Sequence, residues 1–392
     1  MPSSLSPAEF LKAATRTAQH FGFEHVEALK QHPGCRDCEK RIAHTASAAD
    51  RRTDALHGML TSGMCTYFDS KLNGIEGPVL FYTLEQVPRS GEPALSLQVF
   101  NVKKSIAEAL LIQTIHSLLT NIGYPQHFVR VNSLGDTDSL TRYIRELTHY
   151  LRKRMEDMPA PARELMKEHV FTALTHLIEK EHELAHHSPN PLEYLTDQSR
   201  KHFREIVEYL DMSGTPYEID PKLIGHHQCY SDALFAFEVC GEDEQRLESS
   251  PLYIRGGRYN TFVQRTTKTE VPAAGAVVVL RNKKAPARMP RRESGATPSV
   301  FVVQLGFGPK IRSLLLIDEL HRAGIPVYQD VVSDSLSAQL RKAEAQNVRY
   351  AVILGQKEYV EGNVIIRDLH AQSQENIPAD TLAQYLKKTV RA

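Results

Sequence analysis

Two histidines at helical spacing form the most specific chemical pattern in the sequence. His182-Glu183-Leu184-Ala185-His186 satisfies the HExxH pattern, in which two imidazoles bind zinc and the glutamate activates water. Alone, it indicates a metal-dependent hydrolase. However, Ser188 and Pro189 end the helix at once, and no downstream helix offers an evident third ligand. We therefore predict no metal site, and keep the hydrolase as a hypothesis that a third ligand within coordination range would support.

A second pattern with metal-binding chemistry is the CxxC pair of Cys35 and Cys38, with His32 and His44 nearby. A structural zinc site requires four ligands, so these histidines or Cys65 would have to complete it. No second CxxC pair exists in the sequence. Five cysteines at irregular spacing also do not form a disulfide framework. We expect reduced thiols and no bound metal.

The composition excludes several classes of protein. A chain of 392 residues with 41% hydrophobic and 24% charged residues predicts two or three globular domains. Lys plus Arg equals Asp plus Glu at 47 each, so nucleic-acid binding must come from a local patch. Apolar runs such as Ala276 to Leu280 are far shorter than the roughly 20 residues of a membrane helix. Without a signal sequence at its start, the chain is expected to be cytoplasmic.

The elements that must position any site fall into three blocks. Ser6 to Glu9 predicts the capped start of a helix, because Ser6 can cap and Glu9 can reach back. Pro78 to Leu84 and Ala94 to Phe100 predict two antiparallel strands, followed by a helix over Ser105 to Thr120. Residues 138–197 are helical and highly charged, which predicts an inserted helical module.

The second half of the chain changes its pattern at a linker. Strand-like segments that favour a mostly antiparallel sheet lie at residues 217–219, 234–239, 252–254 and 274–280. Residues 284–299 are rich in Lys, Arg, Pro, Gly and Ser, which is typical of a linker. Strands and helices alternate over residues 300–392, which predicts a small α/β domain with a largely parallel sheet.

Several segments carry a resemblance to the histidyl-tRNA synthetases. Gly256 to Asn260 resembles the GGRYD segment of that family, and Pro272 to Gly275 resembles the PAVG start of class II motif 3. Tyr217 to Ile224 is similar to the strand that leads into the histidine-binding loop. Val300 to Leu386 resembles the anticodon-binding domain of class IIa synthetases. These segments cover most of the chain in the expected order.

The resemblance implies an α+β fold, with a class II synthetase-like antiparallel sheet and a C-terminal α/β anticodon-binding-like domain. The implied domains are a core over residues 1–283 with the helical insertion at about 138–197, the linker at 284–299, and the C-terminal domain at 300–392. Class II cores pair through motif 1, so the resemblance also implies a homodimer formed through the core.

The resemblance also implies a ligand pocket. Gln98 matches a histidine-contacting glutamine, Thr53 stands for the threonine that contacts the substrate amine, and Tyr230 matches the second tyrosine of the histidine-specific loop. The family-matched pocket residues are Thr53, Gln98, Tyr230, Gly256, Gly257, Arg258 and Tyr259.

The sequence departs from the family where phosphate charge must be stabilised. Histidine activation joins a carboxylate to the α-phosphate of ATP, so fixed cations must stand there in advance. The motif 2 arginine of the family is absent from Thr83 to Gln86, and Asn282 is in register with its motif 3 arginine. Arg281 comes one residue early, and a shift of one along a strand reverses the face of the side chain.

Two further positions depart from the family. The histidine-specific loop, RGLDYY in the family, has Gly225 in place of its arginine and continues with His226 and His227. Val102 replaces an acidic residue four positions after Gln98. Losing three cationic positions and one acidic position is hard to reconcile with adenylate chemistry. No catalytic residue is therefore assigned.

These departures predict a histidyl-tRNA synthetase-like protein with lost or weak aminoacylation, which acts as a tRNA-binding or regulatory protein and could use a protein partner. The regulatory subunit of ATP phosphoribosyltransferase, a known derivative of the family, is a weaker match because the anticodon-binding-like domain looks complete. The alternative is an active histidine–tRNA ligase that uses ATP and Mg²⁺, with Arg255, Arg258 or Arg281 as substitute cations. It requires two guanidinium groups over one pocket with Gln98 and Tyr259.

Candidate RNA-binding cations lie in the C-terminal domain. A helix over residues 336–346 keeps Leu336 and Leu340 on one face, so Arg341 and Lys342 point away from the core. Arg349 follows the helix. The resemblance places this region near an anticodon stem, which favours tRNA contact.

Overall fold

A computed structural model describes residues 5–28, 48–87, 90–225, 230–241, 247, 250–286, 298–333 and 335–390 of the chain, with the side chains of 48–57 and 390 left outside the description. Within these residues the N-terminal core is built on an eight-stranded sheet. Its strands are β1 (Glu24–His25), β2 (Val79–Gln86), β3 (Pro93–Phe100), β4 (His127–Gly135), β5 (Tyr217–Ile219), β6 (Ser231–Val239), β7 (Leu252–Arg258) and β8 (Ala273–Leu280).

The spatial order of these strands is β1-β2-β3-β8-β7-β6-β4-β5. Only the two edge pairs, β1 with β2 and β4 with β5, run parallel among the described strands, and all pairs between them are antiparallel. The predicted mostly antiparallel sheet is therefore confirmed.

Nine helices in the described part of the core surround this sheet. They are α1 (Pro7–His20), α2 (Ala48–Phe68), α3 (Ile106–Asn121), α4 (Thr137–Lys153), α5 (Ala160–Glu168), α6 (Val170–Glu179), α7 (Glu183–His186), α8 (Asp197–Ser213) and α9 (Asn260–Thr267). Helices α4 to α7 occupy the predicted insertion. None of the described helices is both long and apolar enough to cross a membrane.

The first helix starts as its sequence predicts. The Ser6 hydroxyl accepts a hydrogen bond from the Glu9 amide, and the Glu9 carboxylate accepts one from the Ser6 amide, which completes a capping box. Pro7 occupies the first turn, where its missing N–H costs no hydrogen bond. Local chemistry alone therefore fixes where α1 begins.

Strand alternation divides the central sheet into two faces. Leu95, Leu97 and Val99 of β3 join the apolar cluster that contains α1, α3 and α8, which we call the α3 face. The opposite face carries Phe81 and Phe100 and packs against α2 and α9, and we call it the α2 face. A polar side chain beneath one of these helices is buried, and burying it requires hydrogen-bond partners.

The C-terminal domain is a second, smaller sheet with helices. Its described elements are β9 (Val300–Gln304), α10 (Phe307–Arg322), β10 (Val327–Gln329), α11 (Leu336–Ala345), β11 (Tyr350–Leu354), α12 (Gln356–Glu361), β12 (Asn363–Asp368), β13 (Ser373–Pro378) and α13 (Leu382–Val390). The order is β10-β9-β11-β12-β13, with the first three strands parallel and the last two antiparallel. The α/β prediction is confirmed, and β13 is a strand that it missed.

The two domains share one apolar core. Leu314, Leu316 and Ile317 of α10 belong to the same cluster as the α3 face of the large sheet. His20 Nε2 lies 2.8 Å from the Ile317 carbonyl oxygen, and Gln329 Nε2 donates to the Phe21 carbonyl oxygen at 2.6 Å. The C-terminal domain is therefore packed on the core by α10.

Candidate functional site

A row of neutral side chains occupies the α2 face where the family-matched residues meet. The Tyr259 hydroxyl donates to Gln98 Oε1 at 2.5 Å, and Gln98 Nε2 donates to Ser96 Oγ at 2.8 Å. All three side chains are fully buried. The structure thus brings together Gln98 and Tyr259 as predicted, and adds Ser96, which sits two residues before Gln98 on the same face of β3.

An acidic residue stands beside this row. Thr83 and Ser96 are cross-strand partners, and Thr83 Oγ1 donates to Glu85 Oε1 at 2.5 Å. Burial raises the pKa of Glu85, against hydrogen bonds from Thr83 and Ser62 that lower it. The segment that carries the motif 2 arginine in the family therefore presents a hydroxyl and a carboxyl group here.

Helix α2 closes the α2 face over Gln98. A Cβ added at Gly63 would lie 2.4 Å from Gln98 Nε2 and 2.5 Å from its Cδ. A Cβ at Gly275, opposite Gln98 on β8, would lie 2.5 Å from Gln98 Oε1 and 3.0 Å from Leu60 Cδ2. Gln98 is therefore enclosed between α2 and β8, which approach closely because both positions are glycine. Thr53 is also on α2, but its side chain lies outside the described residues.

In the segment that matches the histidine-specific loop, the ring of Tyr230 lies against Gly225, the first residue of that segment. Gly225 has φ +58°, and a Cβ there would lie 2.7 Å from Cδ2 of the Tyr230 ring. Tyr230 is buried in the same apolar cluster as Tyr259. The ring of Tyr230 thus fills the space beside Gly225, where the family has an arginine. His226 and His227 lie outside the described residues.

Gly256 and Gly257 serve the packing of the sheet. A Cβ at Gly256 would lie 2.4 Å from the tip of the Phe235 ring and 2.7 Å from Ala276 Cβ. Gly257 has φ +155°, and a Cβ there would lie 2.6 Å from the Ala233 carbonyl oxygen. Larger residues would not fit at these two positions, because three strands approach closely at this point.

Arg258 differs from the prediction that grouped it with the pocket, because it points to the α3 face. Its Nε donates to Glu108 Oε1 at 2.8 Å and its Nη2 donates to Glu108 Oε2 at 2.7 Å. Nη1 donates to the Val102 carbonyl oxygen at 2.8 Å. His202 Nε2 lies 2.8 Å from Glu108 Oε1. Burial opposes ionisation of Glu108, but the charges of Arg258 and His202 outweigh it and lower its pKa to about 2.

The other two substitute arginines make separate contacts. Arg281 follows the end of β8, where its Nη1 donates to the Ser250 carbonyl oxygen at 3.2 Å. The Arg255 guanidinium lies over the Tyr253 ring, 5.4 Å from its centre. Strand register places Arg255 on the α2 face, two strands from Ser96. Arg255 thus shares a face with Gln98 and Tyr259, whereas Arg258 does not.

The candidate RNA-binding cations are exposed but partly engaged. The Lys342 ammonium forms an ion pair with Asp330, and 57% of its side chain remains exposed. Arg349 Nε lies 3.4 Å from Asp368 Oδ2, and its guanidinium stacks over the Tyr350 ring. Arg341 is exposed and forms no ion pair with a described residue. A phosphate group would therefore meet Arg341 without displacing a described carboxylate.

The HExxH pattern does not form a two-histidine helical face. His182 precedes the four-residue helix α7 as its cap, and its Nδ1 accepts a hydrogen bond from the Leu184 amide. Lys222 Nζ donates to His186 Nδ1 at 2.7 Å. Within the described residues, no group of three His, Cys, Asp or Glu side chains could hold a metal ion. Cys35 and Cys38 lie outside the described residues.

Comparison with known proteins agrees with the fold. Residues 308–389 match the anticodon binding domain family. A histidine–tRNA ligase of Sorangium cellulosum is 28% identical over 291 residues, which span 74% of this chain and 66% of that protein. A histidine–tRNA ligase of Desulfitobacterium hafniense is 25% identical over 379 residues, 93% of this chain and 88% of that protein. The apo S. aureus histidyl-tRNA synthetase structure aligns with a TM-score of 0.51 at 14% identity, over 98% of both chains.

The large antiparallel sheet with a C-terminal anticodon-binding domain defines a class II synthetase fold. Over most of its length the chain is similar to histidine–tRNA ligases, and its C-terminal domain matches the anticodon binding domain family.

Proposed function

We propose that this protein is a histidyl-tRNA synthetase paralogue that no longer forms histidyl-adenylate and that binds tRNA through its C-terminal domain. The observation that carries the first half of the proposal is the chemistry of the α2 face. Gln98, Tyr259, Ser96 and Thr83 are neutral, buried and hydrogen-bonded to one another or to Glu85. Nothing in this row offers the fixed positive charge that a phosphoryl group requires.

The described residues do not fit ATP at this face. Glu85 adds a carboxyl group to the segment where the family has its motif 2 arginine, and this group would repel a phosphate if it ionised. Arg258 is held on the other face by Glu108, and the Tyr230 ring fills the space beside Gly225. Helix α2 encloses Gln98, the residue matched to histidine binding. Arg255, which lies on this face, is the cation that the alternative, an active ligase, would use.

Histidine-dependent exchange of pyrophosphate into ATP tests the loss of adenylate chemistry. We expect no exchange above background, since each missing preorganised charge typically costs about 10²–10³ in rate. The D. hafniense ligase, assayed in parallel, controls for the reagents. Exchange that requires histidine and is abolished in Arg255→Gln would overturn the proposal in favour of the active ligase.

The second half of the proposal rests on the C-terminal domain. The match to the anticodon binding domain family covers most of that domain. Arg341, Lys342 and Arg349 give it exposed cations in a chain whose net charge is zero. Because long-range attraction by the whole chain is absent, such a local cluster must supply the counterion release that drives RNA binding.

The binding of tRNA to the full chain over a salt series tests this half. The full chain is required because α10 shares its apolar core with the large sheet. Arg341→Ala with Lys342→Ala should weaken binding and reduce the salt slope by roughly 0.7–0.9 for each phosphate group that is no longer neutralised. Lys387→Ala with Lys388→Ala removes equal charge from α13 and is the matched control. If both double variants bind tRNA equally, residues 341 and 342 are only a solvated helix face.

Two further expectations belong to the proposal. The homodimer through the core and the cytoplasmic location remain predictions that follow from the family resemblance. A role in regulation would require a partner, for which the helical insertion offers a surface.

A further inference from the structure

An open cleft of about 660 Å³ lies in the helical insertion, between α4 and α5 and next to the start of α6. Its apolar wall includes Ile144, Met155, Met166 and Val170. Its size falls within the usual range of binding sites, about 300–1,000 Å³. The cleft is distant in sequence from both the polar row of the α2 face and the anticodon-binding domain, so it goes beyond the proposed function.

Apart from Val170, which belongs to the buried core, the apolar wall is not needed to complete the core of the insertion. Tyr143, Leu147 and Leu151 of α4 are already fully buried against Phe171 and its neighbours in α6. Ile144, Met155 and Met166 pack on the outside of that cluster and remain partly exposed. Partly exposed apolar side chains around a concavity are typical of interaction sites, and methionine adapts its shape to different partners.

The rim of the cleft is positively charged. Arg152 of α4 and Arg163 of α5 are both exposed, and neither forms an ion pair with a described residue. Lys167 pairs with Glu164 at 2.8 Å, and these two charges offset each other. The two arginines thus leave an excess positive charge beside an apolar wall, in a chain whose overall charge is zero.

We propose that this cleft binds an acidic, amphipathic segment of a partner protein. The carboxylates of such a segment would meet Arg152 and Arg163, since guanidinium groups bind carboxylates with two parallel hydrogen bonds. Its apolar side chains would cover Met155 and Met166, in the manner of a helix laid in a groove. RNA fits less well, because a sugar–phosphate backbone would leave the apolar wall exposed to water.

Selection of peptides on the full chain tests this proposal. The probe is a phage-displayed library of random 16-residue peptides, followed by fluorescence anisotropy with the selected sequences. We expect enriched peptides that combine Asp or Glu with Leu, Ile, Phe or Met at spacings of three and four. Arg152→Gln with Arg163→Gln should weaken their binding roughly tenfold through loss of the rim charge. Arg142→Gln with Arg145→Gln removes two exposed charges from α4 outside the cleft and should leave affinity unchanged.

A second variant separates the apolar contact from the charge. Met166→Gln keeps the rim intact and should also weaken the selected peptides. The proposal fails if no acidic amphipathic peptide is enriched, or if such peptides bind the Arg152 and Arg163 double variant as tightly as the wild type. It also fails if a tRNA acceptor-stem oligonucleotide displaces the peptides and loses affinity in the Arg152 and Arg163 double variant but not in Met166→Gln, because the cleft is then an RNA surface.

Discussion

The two faces of the large sheet bury different kinds of polar group. The α3 face buries a complete set of charges, in which Glu108 is bound by Arg258 and His202. The α2 face, where the family residues Gln98 and Tyr259 meet, buries neutral groups and a carboxyl group whose pKa is raised. Buried charges are tolerated only with partners, so the α3 face keeps its arginine for structure.

This difference shows that residues that resemble the family in sequence need not take part in the chemistry of the site. The segment Gly256 to Tyr259 matches the family, yet its glycines serve strand packing and its arginine serves an ion pair on the far face. A match of this kind can persist for the stability of the fold alone. Activity has to be argued from the side chains that face the substrate.

The largest expected effect comes from breaking the charge set of the α3 face. Arg258→Met should lower the free energy of unfolding by about 3–5 kcal/mol, because it leaves Glu108 buried without its main partner. Urea denaturation measures this change. Adding Glu108→Leu to Arg258→Met should restore part of the loss. A single variant that costs less than about 1 kcal/mol would show that the ion pair does not hold this face.

An intermediate effect is expected on the α2 face, from two glycines of the same helix. Gly63→Ala should destabilise the protein by about 1–3 kcal/mol, since its Cβ would overlap Gln98, which Tyr259 and Ser96 hold in place. Gly58→Ala is the matched control. A Cβ at Gly58 would have no described atom within 4 Å, so the higher helix propensity of alanine should raise the free energy of unfolding by up to about 1 kcal/mol. Thermal unfolding of both variants compares them, and equal melting temperatures would mean that α2 does not close this face.

Two pairs of neighbouring histidines lie beside the α3 face. His20 of α1 contacts His321 of α10, and His127 of β4 contacts His116 of α3. Burial is the main reason that the pKa of His20 falls to about 3 and that of His127 to about 4. The neighbouring imidazoles of His321 and His116 lower these two values further. The carboxylate of Asp318 acts in the opposite direction on the pKa values of His116 and His321.

The smallest expected effect is the pH dependence that these histidines create. Between about pH 6.5 and the lowered pKa values, the unfolded chain binds protons that the folded chain excludes, so stability falls as pH falls. Each histidine should contribute up to about 1.4 kcal/mol per pH unit in that window. His20→Gln keeps a donor for the Ile317 carbonyl and should make the decline between pH 6.5 and 5 shallower.

The control for this experiment is His149→Gln, which changes an exposed histidine of α4 and should leave the slope unchanged. Chemical denaturation at a series of pH values gives both slopes. Glu85 of the α2 face has a raised pKa, so its contribution has the opposite sign and is lost as pH rises. If His20→Gln declines as steeply as the wild type, the buried histidine of the domain contact does not set the acid sensitivity.

Local chemistry allowed much of the fold to be predicted. The capping box at Ser6 and Glu9 and the alternation in β2 and β3 depend on neighbours in sequence, and both are present. β13 was missed because Ser373 to Pro378 is a polar edge strand without an apolar alternation. Its partner β12 alone explains why it is a strand.

The site was harder to predict than the fold because its contacts are distant in sequence. The parity of Leu252 and Ile254 already indicates that Arg258 shares their packed face. Its partner Glu108 lies 150 residues away, as the single acid among the buried residues of α3. Nothing local indicates that pair, or that α2 would enclose Gln98.

The packing of α10 against α1 also has a consequence for how the chain is made. The contact between His20 and Ile317 closes a loop of 297 residues. At a synthesis rate of about 5–20 residues per second, α1 must wait roughly 15–60 seconds for its partner to emerge from the ribosome. During that time the apolar side of α1 and part of the sheet have no cover from α10. The contact between the two domains therefore forms late, and the nascent core is the stage most exposed to aggregation and to chaperones.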